Sequence, residues 1–298
     1  MKTLRTIAEV RAHVAAARRA GRSVGLVPTM GAFHAGHEAL IRAARDACDD
    51  VVVSLFVNPS QFEEPADLAA YPRGEPRDAA IAAELGADAL FAPPVAEIYP
   101  DGFATAVHVA GLSGVLEGAQ RGAAHFDGVC TVVCKLFGIV APDVAFFGQK
   151  DAQQVVVIRR MLRDLDIPVR LHVVPTVREA DGLALSSRNA RLDAADRERA
   201  LALSRALEAV REGIEGGERD AAALEAAGRA AMAAYDVQPE YLSVVDPETL
   251  EPVELAAGRA LVVVAARIGP ARLIDNLPLD TEQVATRTPV GVNHAKEI

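Results

Sequence analysis

Short apolar runs alternate with helical patterns of apolar residues along the first 176 residues of the chain. The runs that predict buried strands are 23–27, 51–57, 89–91, 144–147 and 169–174. The helical patterns begin after Thr6, a candidate N-cap, and continue at 37–48, 77–85, 126–140 and 151–165. Continuous apolar strands that alternate with helices are typical of a parallel sheet covered on both faces. The pattern therefore predicts an α/β fold of the doubly wound, Rossmann-like kind.

The pattern changes after about residue 177. Two helical stretches, 193–213 and 220–235, are rich in alanine, glutamate and arginine. Three strand candidates follow them, at 241–245, 261–268 and 272–275. Strands that cluster after helices predict a second, smaller α+β domain. We therefore expect a Rossmann-like domain over 1–176 and a smaller lid domain over 177–285. The remaining residues, 286–298, lack periodicity and predict a mobile tail.

The composition narrows the class of protein. With 298 residues, 51% hydrophobic and 24% charged, the chain has room for about two globular domains. The net charge of −10 argues against a nucleic-acid partner, because such partners bind basic surfaces. No apolar run approaches the roughly 18 residues of a membrane span, and the N-terminal stretch lacks the apolar core of a signal peptide. Three cysteines without a C-x-x-C pair predict free thiols, so we expect a cytoplasmic protein without a membrane partner.

The segment 28–37, PTMGAFHAGH, leaves a predicted strand and opens a predicted helix. A helix N-terminus binds phosphate locally, whatever the net charge of the protein. Gly31 and Gly36 allow close backbone approach, while His34 and His37 lie on one face of a helical turn and can donate to phosphate oxygens. Two other interpretations stay open for the motif alone: a pair of surface histidines, or a metal site that needs a third ligand.

Three further segments carry polar residues that suit a nucleotide and a small acid. After the second strand, Asn58 and Gln61 offer neutral donors and acceptors, although an ordinary Asn-Pro turn would look the same. After a later strand, Gly148 permits backbone approach and Lys150 offers a cation for phosphates. Asp151 fits either a ribose contact or a helix N-cap.

The third segment, 185–189 or LSSRN, places two hydroxyls and a guanidinium in series. Ser186, Ser187 and Arg188 could clamp a phosphate, although Ser-Ser-Arg is a common string.

Taken in order, the segments VPTMGAFHAGH, FVNPSQF, FGQKDAQQ, TVRE and LSSRN resemble the pantoate–β-alanine ligase family. That family belongs to the H-x-G-H nucleotidyltransferase and class I synthetase superfamily. Gln149 stands where the family usually has Glu, and Leu185 where it has Met. In 117–129 one extra residue separates Arg121 from His125, so we assign neither a role. The resemblance also gives 71–73 a part in closing the site and makes 272–276 a structural strand.

The resemblance implies a role for each matching position. His37, His34, Lys150 and Arg188 would be catalytic. The implied ATP-binding residues are Met30, Gly31, Ala32, Phe33, His34, Ala35, Gly36, His37, Gly148, Gln149, Lys150, Asp151, Val177, Leu185, Ser186, Ser187 and Arg188. Pantoate would contact Gln61, Gln154 and Asn58, with Gln61 also near β-alanine. No protein ligand for a metal is assigned, and Mg²⁺ would be carried by the ATP phosphates.

The implied activity is an ATP-dependent condensation of (R)-pantoate with β-alanine through a pantoyl adenylate, releasing AMP and pyrophosphate. The resemblance also implies a homodimer. The residue types alone support only adenylate formation or nucleotidyl transfer. The alternative is therefore a nucleotidylyltransferase that joins a phosphate monoester to a nucleotide. A class I tRNA synthetase fits a short acidic chain poorly, and a nucleotide-sensing module would bind ATP without turnover.

Overall fold

The computed structural model describes residues 1–62 and 65–281, and their contacts divide them into two compact units. The first unit contains Met1–Arg191 with Glu248–Leu250, and the second contains 192–247 and 251–281. The predicted boundary after residue 176 therefore lies inside the first unit. Residues 177–185 form a hairpin there, which hydrogen bonds join to the turn that follows it. The predicted tail, 286–298, lies outside the described residues.

Six parallel strands form the sheet of the first unit. They are β1 (Lys2–Leu4), β2 (Val24–Thr29), β3 (Asp50–Leu55), β4 (Ala89–Phe91), β5 (Val144–Gly148) and β6 (Arg170–Val174), in the order β1-β4-β3-β2-β5-β6. The strands β2 to β5 are buried almost throughout, which explains their continuous apolar sequences. The predicted Rossmann-like class is confirmed.

Two groups of helices flank this sheet. The helices of the first unit are α1 (Ile7–Arg19), α2 (Ala35–Ala47), α3 (Pro65–Ala70), α4 (Glu75–Glu84), α5 (Val95–Ile98), α6 (Glu117–Arg121), α7 (Ala123–Val140) and α8 (Ala152–Asp164). α1 and α8 pack against α7, while α2 packs against α4. Thr6 caps α1 as predicted, because its side chain accepts from the Glu9 N–H and the Glu9 carboxylate accepts in return.

Close packing in the core involves one glycine and one cysteine. A Cβ on Gly25 of β2 would lie 3.0 Å from Sγ of Cys48 and 3.3 Å from the Phe146 ring. Glycine at this position therefore allows β2 to pack closely in the core.

Cys48, Cys130 and Cys134 are all free thiols, as predicted. Burial raises the pKa of Cys130 to about 12, so this thiol stays protonated and chemically inert at neutral pH.

The sheet changes winding direction between β2 and β5. The chain continues from β2 to its neighbour β3 on one side, and β5 lies on the other side. Only Gly25 with Val144 and Leu26 with Ala145 pair across this boundary, although both strands continue beyond it. Their carboxyl ends therefore separate, and a crevice at such a switch point is where open α/β sheets bind ligands.

The second unit is an α+β arrangement, as predicted. Helices α9 (Ala194–Glu215) and α10 (Ala221–Ala233) pack on each other and on a three-stranded antiparallel sheet. Its strands are β7 (Tyr241–Val245), β8 (Arg259–Ile268) and β9 (Ala271–Asp280), in that order. The segment 272–276 lies within β9, which confirms the structural strand. Within the described residues, no helix combines the length and apolarity that crossing a membrane requires.

Candidate active site

The start of α2 carries the two histidines of the HAGH motif. His34 is the N-cap, and its Nδ1 accepts from the Gly36 N–H at 3.1 Å. His37 Nδ1 accepts from the His34 N–H at 3.4 Å, so each ring satisfies an amide that the helix leaves unpaired. The ring centroids lie 4.2 Å apart, as the three-residue spacing predicts. A Cβ on Gly36 would lie 2.9 Å from Cε1 of His34, so glycine makes room for this ring.

Both histidines are neutral at pH 7. Burial is the main cause that lowers the pKa of His37 to about 3, and the neighbouring His34 adds to it. Burial, followed by the positive charge of Lys150, also lowers the pKa of His34. Because Nδ1 of each ring accepts a hydrogen bond, the ring proton is on Nε2. The pair therefore offers two neutral N–H donors beside a helix N-terminus, an environment that suits an anion.

The loop between β2 and α2 is held by a carboxylate that the sequence did not predict. Gly31 and Ala32 are both left-handed, with φ of 90° and 56°. The Ala32 N–H donates to Oδ2 of Asp78 at 2.7 Å, and the Phe33 N–H donates to Oδ1 at 2.9 Å. Asp78 lies in the first turn of α4 and is 1% exposed. No local motif could reveal it, because these partners are 45 and 46 residues apart in the chain.

A second group of site residues follows β5. A Cβ on Gly148 would meet no described atom within 4 Å, so this backbone borders open space. Lys150 Nζ lies 3.6 Å from Oδ1 of Asp151. Asp151 stands at the N-cap position of α8 but its side chain makes no capping hydrogen bond. Desolvation opposes its ionisation, but the charges of Lys150, Arg121 and Arg188 outweigh that effect and lower the pKa of Asp151.

Arg188 and Arg121 bring two more segments of the chain to these residues. Arg121 Nε donates to a carboxylate oxygen of Glu117 at 3.1 Å. Burial, and then the charge of Arg121, lowers the pKa of Arg188, while the carboxylates of Asp151 and Glu117 oppose that change. Arg121, which received no role from the sequence, therefore belongs to the same electrostatic cluster as the predicted residues.

The hairpin 177–185 positions the segment LSSRN. The Leu185 N–H donates to the Val177 carbonyl at 2.9 Å, and the Arg188 N–H donates to the Ser186 hydroxyl at 3.2 Å. A Cδ atom of Leu185 lies 3.8 Å from where a Cβ of Gly36 would be, which places this segment beside the start of α2. Ser187 is exposed.

The turn after β3 presents Gln61. Asn58 is 1% exposed and donates its two amide hydrogens to Gln61 Oε1 and to the Gly128 carbonyl, both at 3.0 Å. Its oxygen accepts from the Ser60 and Tyr99 hydroxyls, both at 2.8 Å. The side-chain amide of Asn58 therefore makes its hydrogen bonds within the protein.

Gln61 is oriented by its neighbours in the first unit. Its side-chain Nε2 donates to the Met30 sulfur at 2.9 Å, and its main-chain carbonyl accepts from Nδ1 of His125 at 2.8 Å. Burial is the main cause that lowers the pKa of His125, so this ring is neutral at pH 7. A Cβ on Gly128 would lie 2.3 Å from the Ser60 carbonyl oxygen, so α7 approaches the turn through a glycine.

The two glutamines at the start of α8 differ. Gln153 is 5% exposed, donates to the Leu112 and Val115 carbonyls at 2.8 Å, and accepts from the Glu117 N–H at 2.9 Å. It therefore anchors the segment that carries Arg121. Gln154 is half-buried, and its amide makes no hydrogen bond within the part of the chain that the structure describes.

The first unit thus contains every predicted site residue, from the α2 start through Lys150 and Arg188 to Gln61 and Gln154. Tyr71 belongs with them. Burial raises its pKa, and it is within electrostatic reach of Arg188, Asp78 and Asp151. No three described His, Cys, Asp or Glu side chains are arranged to hold a metal ion.

Comparison with protein families gives one match over nearly the whole chain. The model of the family described as pantoate-beta-alanine ligase matches residues 2–278. A pantothenate synthetase of Cereibacter sphaeroides is 54% identical over 276 residues, which cover 93% of this chain and 99% of the relative.

Solved structures agree with that match. Pantothenate synthetase from Thermus thermophilus superposes with a TM-score of 0.87 at 49% identity, covering 93% of this chain and 99% of the other. Pantoate-beta-alanine ligase from Francisella tularensis, solved in complex with beta-gamma ATP and beta-alanine, has a TM-score of 0.75 at 33% identity, with coverages of 95% and 98%.

Proposed function

The chain belongs to the pantoate–β-alanine ligase family, and from that premise we propose how its first unit carries out the ligation. The chain is an ATP-dependent ligase that joins pantoate to β-alanine. The observation that carries our mechanism is the pair of neutral imidazoles at the α2 start, where the charge of Lys150, which follows β5, acts on both rings. This arrangement suits a triphosphate, and the neutral amides of Gln61 and Gln154 suit a small hydroxylated carboxylic acid, which a fixed negative charge would repel.

We propose that the reaction proceeds in two steps. A carboxylate cannot acylate an amine directly, because its leaving group would be an oxide. A pantoate carboxylate oxygen therefore attacks the α-phosphorus of ATP, and the α–β phosphoanhydride bond breaks to release pyrophosphate. The β-alanine amine then attacks the acyl carbon of the pantoyl adenylate, loses a proton, and AMP leaves. The protein contributes positioning and charge stabilisation to the first step.

The ATP phosphates bind to the hydrogen-bond donors and cations of the site. The Nε2–H groups of His34 and His37 donate to phosphate oxygens as negative charge builds up on the leaving pyrophosphate. Because these rings are neutral, they act as hydrogen-bond donors and do not need to become imidazolium ions. Lys150 and Arg188 balance the charge of the β- and γ-phosphates, and the Ser186 and Ser187 hydroxyls complete this clamp.

The remaining predicted ATP contacts complete the nucleotide site. Met30 to His37 and Gly148 to Asp151 flank the crevice at the ends of β2 and β5, and the Val177 backbone contacts the adenine. Mg²⁺ bound to the triphosphate would neutralise charge on its oxygens. Asp151, whose side chain makes no capping hydrogen bond, accepts from a ribose hydroxyl.

Pantoate binds beside the α-phosphate through Gln61 and Gln154. The Gln61 N–H that now donates to the weakly accepting Met30 sulfur can donate to a pantoate oxygen instead. The Gln154 amide has its hydrogen-bonding groups available within the described residues. Asn58 contributes indirectly, by fixing the oxygen of Gln61 and turning its N–H groups toward the ligand. β-Alanine approaches near Gln61.

A phosphate-monoester acceptor, as in a nucleotidylyltransferase, would call for Arg or Lys where Gln61 and Gln154 stand. The neutral amides therefore favour the ligase.

We also propose, from the resemblance, that the enzyme is a cytoplasmic homodimer. Light scattering would test the dimer by giving twice the chain mass of 31.4 kDa.

One assay tests the reaction. The protein is incubated with ATP, Mg²⁺ and pantoate, with and without β-alanine, while AMP and pyrophosphate are followed. We expect pyrophosphate release to need pantoate, and continued AMP release to need β-alanine. AMP release that ignores β-alanine, or pyrophosphate release without pantoate, would reject the two-step ligase mechanism.

A further inference from the structure

The loop between β2 and α2 owes its shape to one side chain on another element. The Asp78 carboxylate accepts the Ala32 and Phe33 N–H groups with one oxygen each, at 2.7 and 2.9 Å. Carboxylate acceptors form hydrogen bonds about twice as strong as neutral ones, and here both bonds are buried. The carboxylate therefore fixes two consecutive peptide planes.

Those peptide planes are in a conformation that needs support. Gly31 and Ala32 have φ of 90° and 56°, and a left-handed alanine costs about 1–2 kcal/mol. A Cβ on Gly31 would lie 3.0 Å from Oδ2 of Asp78, so the carboxylate sits tightly against the turn. Since the peptides are trans, their carbonyl oxygens point away from Asp78.

Asp78 is anchored to the sheet independently of the loop. It lies in the first turn of α4, which begins at Glu75. The Glu75 carboxylate binds both terminal nitrogens of Arg5, and Arg5 also donates to the Ala92 carbonyl at 2.9 Å, just beyond β4. The helix that carries Asp78 is thus held in place by contacts outside the loop, and Asp78 positions the loop through its two hydrogen bonds.

One side of the loop is not packed against other described residues. Met30, Gly31 and Asp78 line a cavity of about 570 Å³ among the described residues, whose other walls include Phe56, Pro72 and Pro94. The loop therefore borders open volume, and hydrogen bonds define its position.

We propose that Asp78 is a positioning residue for nucleotide binding, acting through the backbone of residues 31–33. This inference rests on the proposed function, because it takes the loop to be part of the ATP site. By consuming the Ala32 and Phe33 N–H groups, Asp78 turns the Gly31 and Ala32 carbonyl oxygens toward the nucleotide as acceptors. It also directs the triphosphate to the α2 start, because a buried anion behind the loop repels phosphate there.

The test compares Asp78→Asn with a matched buried carboxylate. The substituted amide could accept only one of the two backbone N–H groups and would turn its own NH₂ against the other. The control is Asp50→Asn: Asp50 is fully buried, hydrogen-bonded to His13 and ion-paired to Arg22, but lies at the opposite end of β3 from the site. Thermal unfolding, calorimetric ATP binding, and the KM for each of the three substrates are measured on the full chain.

We expect Asp78→Asn to raise the ATP Kd and KM at least about tenfold, as for a lost charged hydrogen bond, with pantoate and β-alanine KM little changed. Asp50→Asn should lower stability and leave the ATP Kd unchanged. An ATP Kd for Asp78→Asn within about twofold of the wild type would overturn the proposal, as would equal ATP losses in both variants.

If Asp78→Asn does not fold, Gly31→Ala tests the same contact, because its Cβ would push against the carboxylate. It should weaken ATP binding selectively too, and unaltered ATP binding would again reject the role. ATP binding is measured without turnover, so a wild-type protein that binds ATP but fails to ligate would count against the proposed function alone.

Discussion

His37 is the side chain on which the first step of the proposed reaction depends most. Its Nε2–H is held by the capping hydrogen bond on Nδ1 and by stacking on Phe33, with ring centroids 5.3 Å apart. We expect His37→Ala to slow pyrophosphate release at least about 100-fold, as for one lost oxyanion donor, while the fold survives.

The matched control is His108→Ala, because the His108 side chain is exposed and pairs with Asp127 outside the proposed site. Its rate should stay close to wild type. A near-wild-type rate of pyrophosphate release from His37→Ala would reject the donor role.

The buried, neutral state of His37 also has a consequence for stability. In the unfolded chain this ring titrates near 6.5, whereas in the folded chain its pKa is about 3. Between these values the unfolded state binds a proton that the folded state does not, so stability is full above pH 6.5 and falls as the pH drops toward 3. From pH 6.5 to 5, wild type should lose about 1.6 kcal/mol more than His37→Gln.

Urea unfolding of both proteins at the two pH values measures this difference, since titrations common to both cancel. Parallel losses in the two proteins would show that His37 titrates normally in the folded chain.

At the residue scale, the sequence predicted the groups that sit within one contiguous motif. His34 and His37 satisfy amides three residues away or less, so their spacing alone indicates their geometry. The sequence did not predict a role for Asp78 or Arg121, because their positions depend on how distant elements pack. Asn58 was predicted as a ligand contact, but its burial and full hydrogen bonding depend on Tyr99 and Gly128, which no local pattern reveals.

The packing of α7 on the turn Pro59–Gln61 links an element to the pantoate site. We expect Gly128→Ala to displace this turn, because its Cβ would overlap the Ser60 carbonyl and crowd the Gln61 N–H. The KM for pantoate should rise at least about tenfold, the scale of a charged hydrogen bond lost from Gln61.

Gly138→Ala is the control on the same helix, because a Cβ there would meet no described atom within 4 Å. It should preserve the pantoate KM and stabilise the helix by about 0.5–1 kcal/mol. An unchanged pantoate KM in Gly128→Ala would show that Gln61 does not depend on this packing.

Helix length and strand burial decided which parts of the fold the sequence could predict. Helices and strands with a sustained apolar pattern were found, and most ends were within three residues. α3, α5 and α6 were missed because four to six residues are too few to show a helical period, and β1 was missed because two of its three residues are exposed. β9 was predicted over 272–275 but extends to Asp280, because pairing with β8 holds residues that are not continuously apolar.

On the scale of the whole molecule, the second unit offers positions where stability can be changed without touching a predicted site residue. Every predicted site residue lies in the first unit. In the second unit, a Cβ on Gly228 of α10 would lie 2.8 Å from Leu242 of β7 and 3.3 Å from Val210 of α9. We expect Gly228→Ala to destabilise the protein by about 1–3 kcal/mol through overpacking, with ATP and pantoate KM unchanged below the unfolding transition.

Calorimetry and steady-state kinetics on the same preparation check this expectation, with Gly138→Ala again as the reference. A selective rise in the ATP KM of Gly228→Ala would place a binding role in the second unit.

The net charge of −10 does not prevent binding of a triphosphate. Lys150, Arg121 and Arg188 all act on Asp151, and Arg121 also acts on Arg188, so positive charge is concentrated around the start of α8. Composition correctly described the average surface, but it could not show this local reversal of sign, which depends on bringing together residues 121, 150 and 188.

The fixed tautomers of His34 and His37 make the free enzyme readable by nitrogen-15 NMR. Each ring should show a pyridine-type Nδ1 and a pyrrole-type Nε2, because each Nδ1 accepts a backbone N–H. Addition of a phosphate ligand should perturb the two Nε2 resonances before any bond is made or broken. If the proposed mechanism holds, the two imidazoles of α2 will report nucleotide binding in the NMR spectrum before pyrophosphate is released.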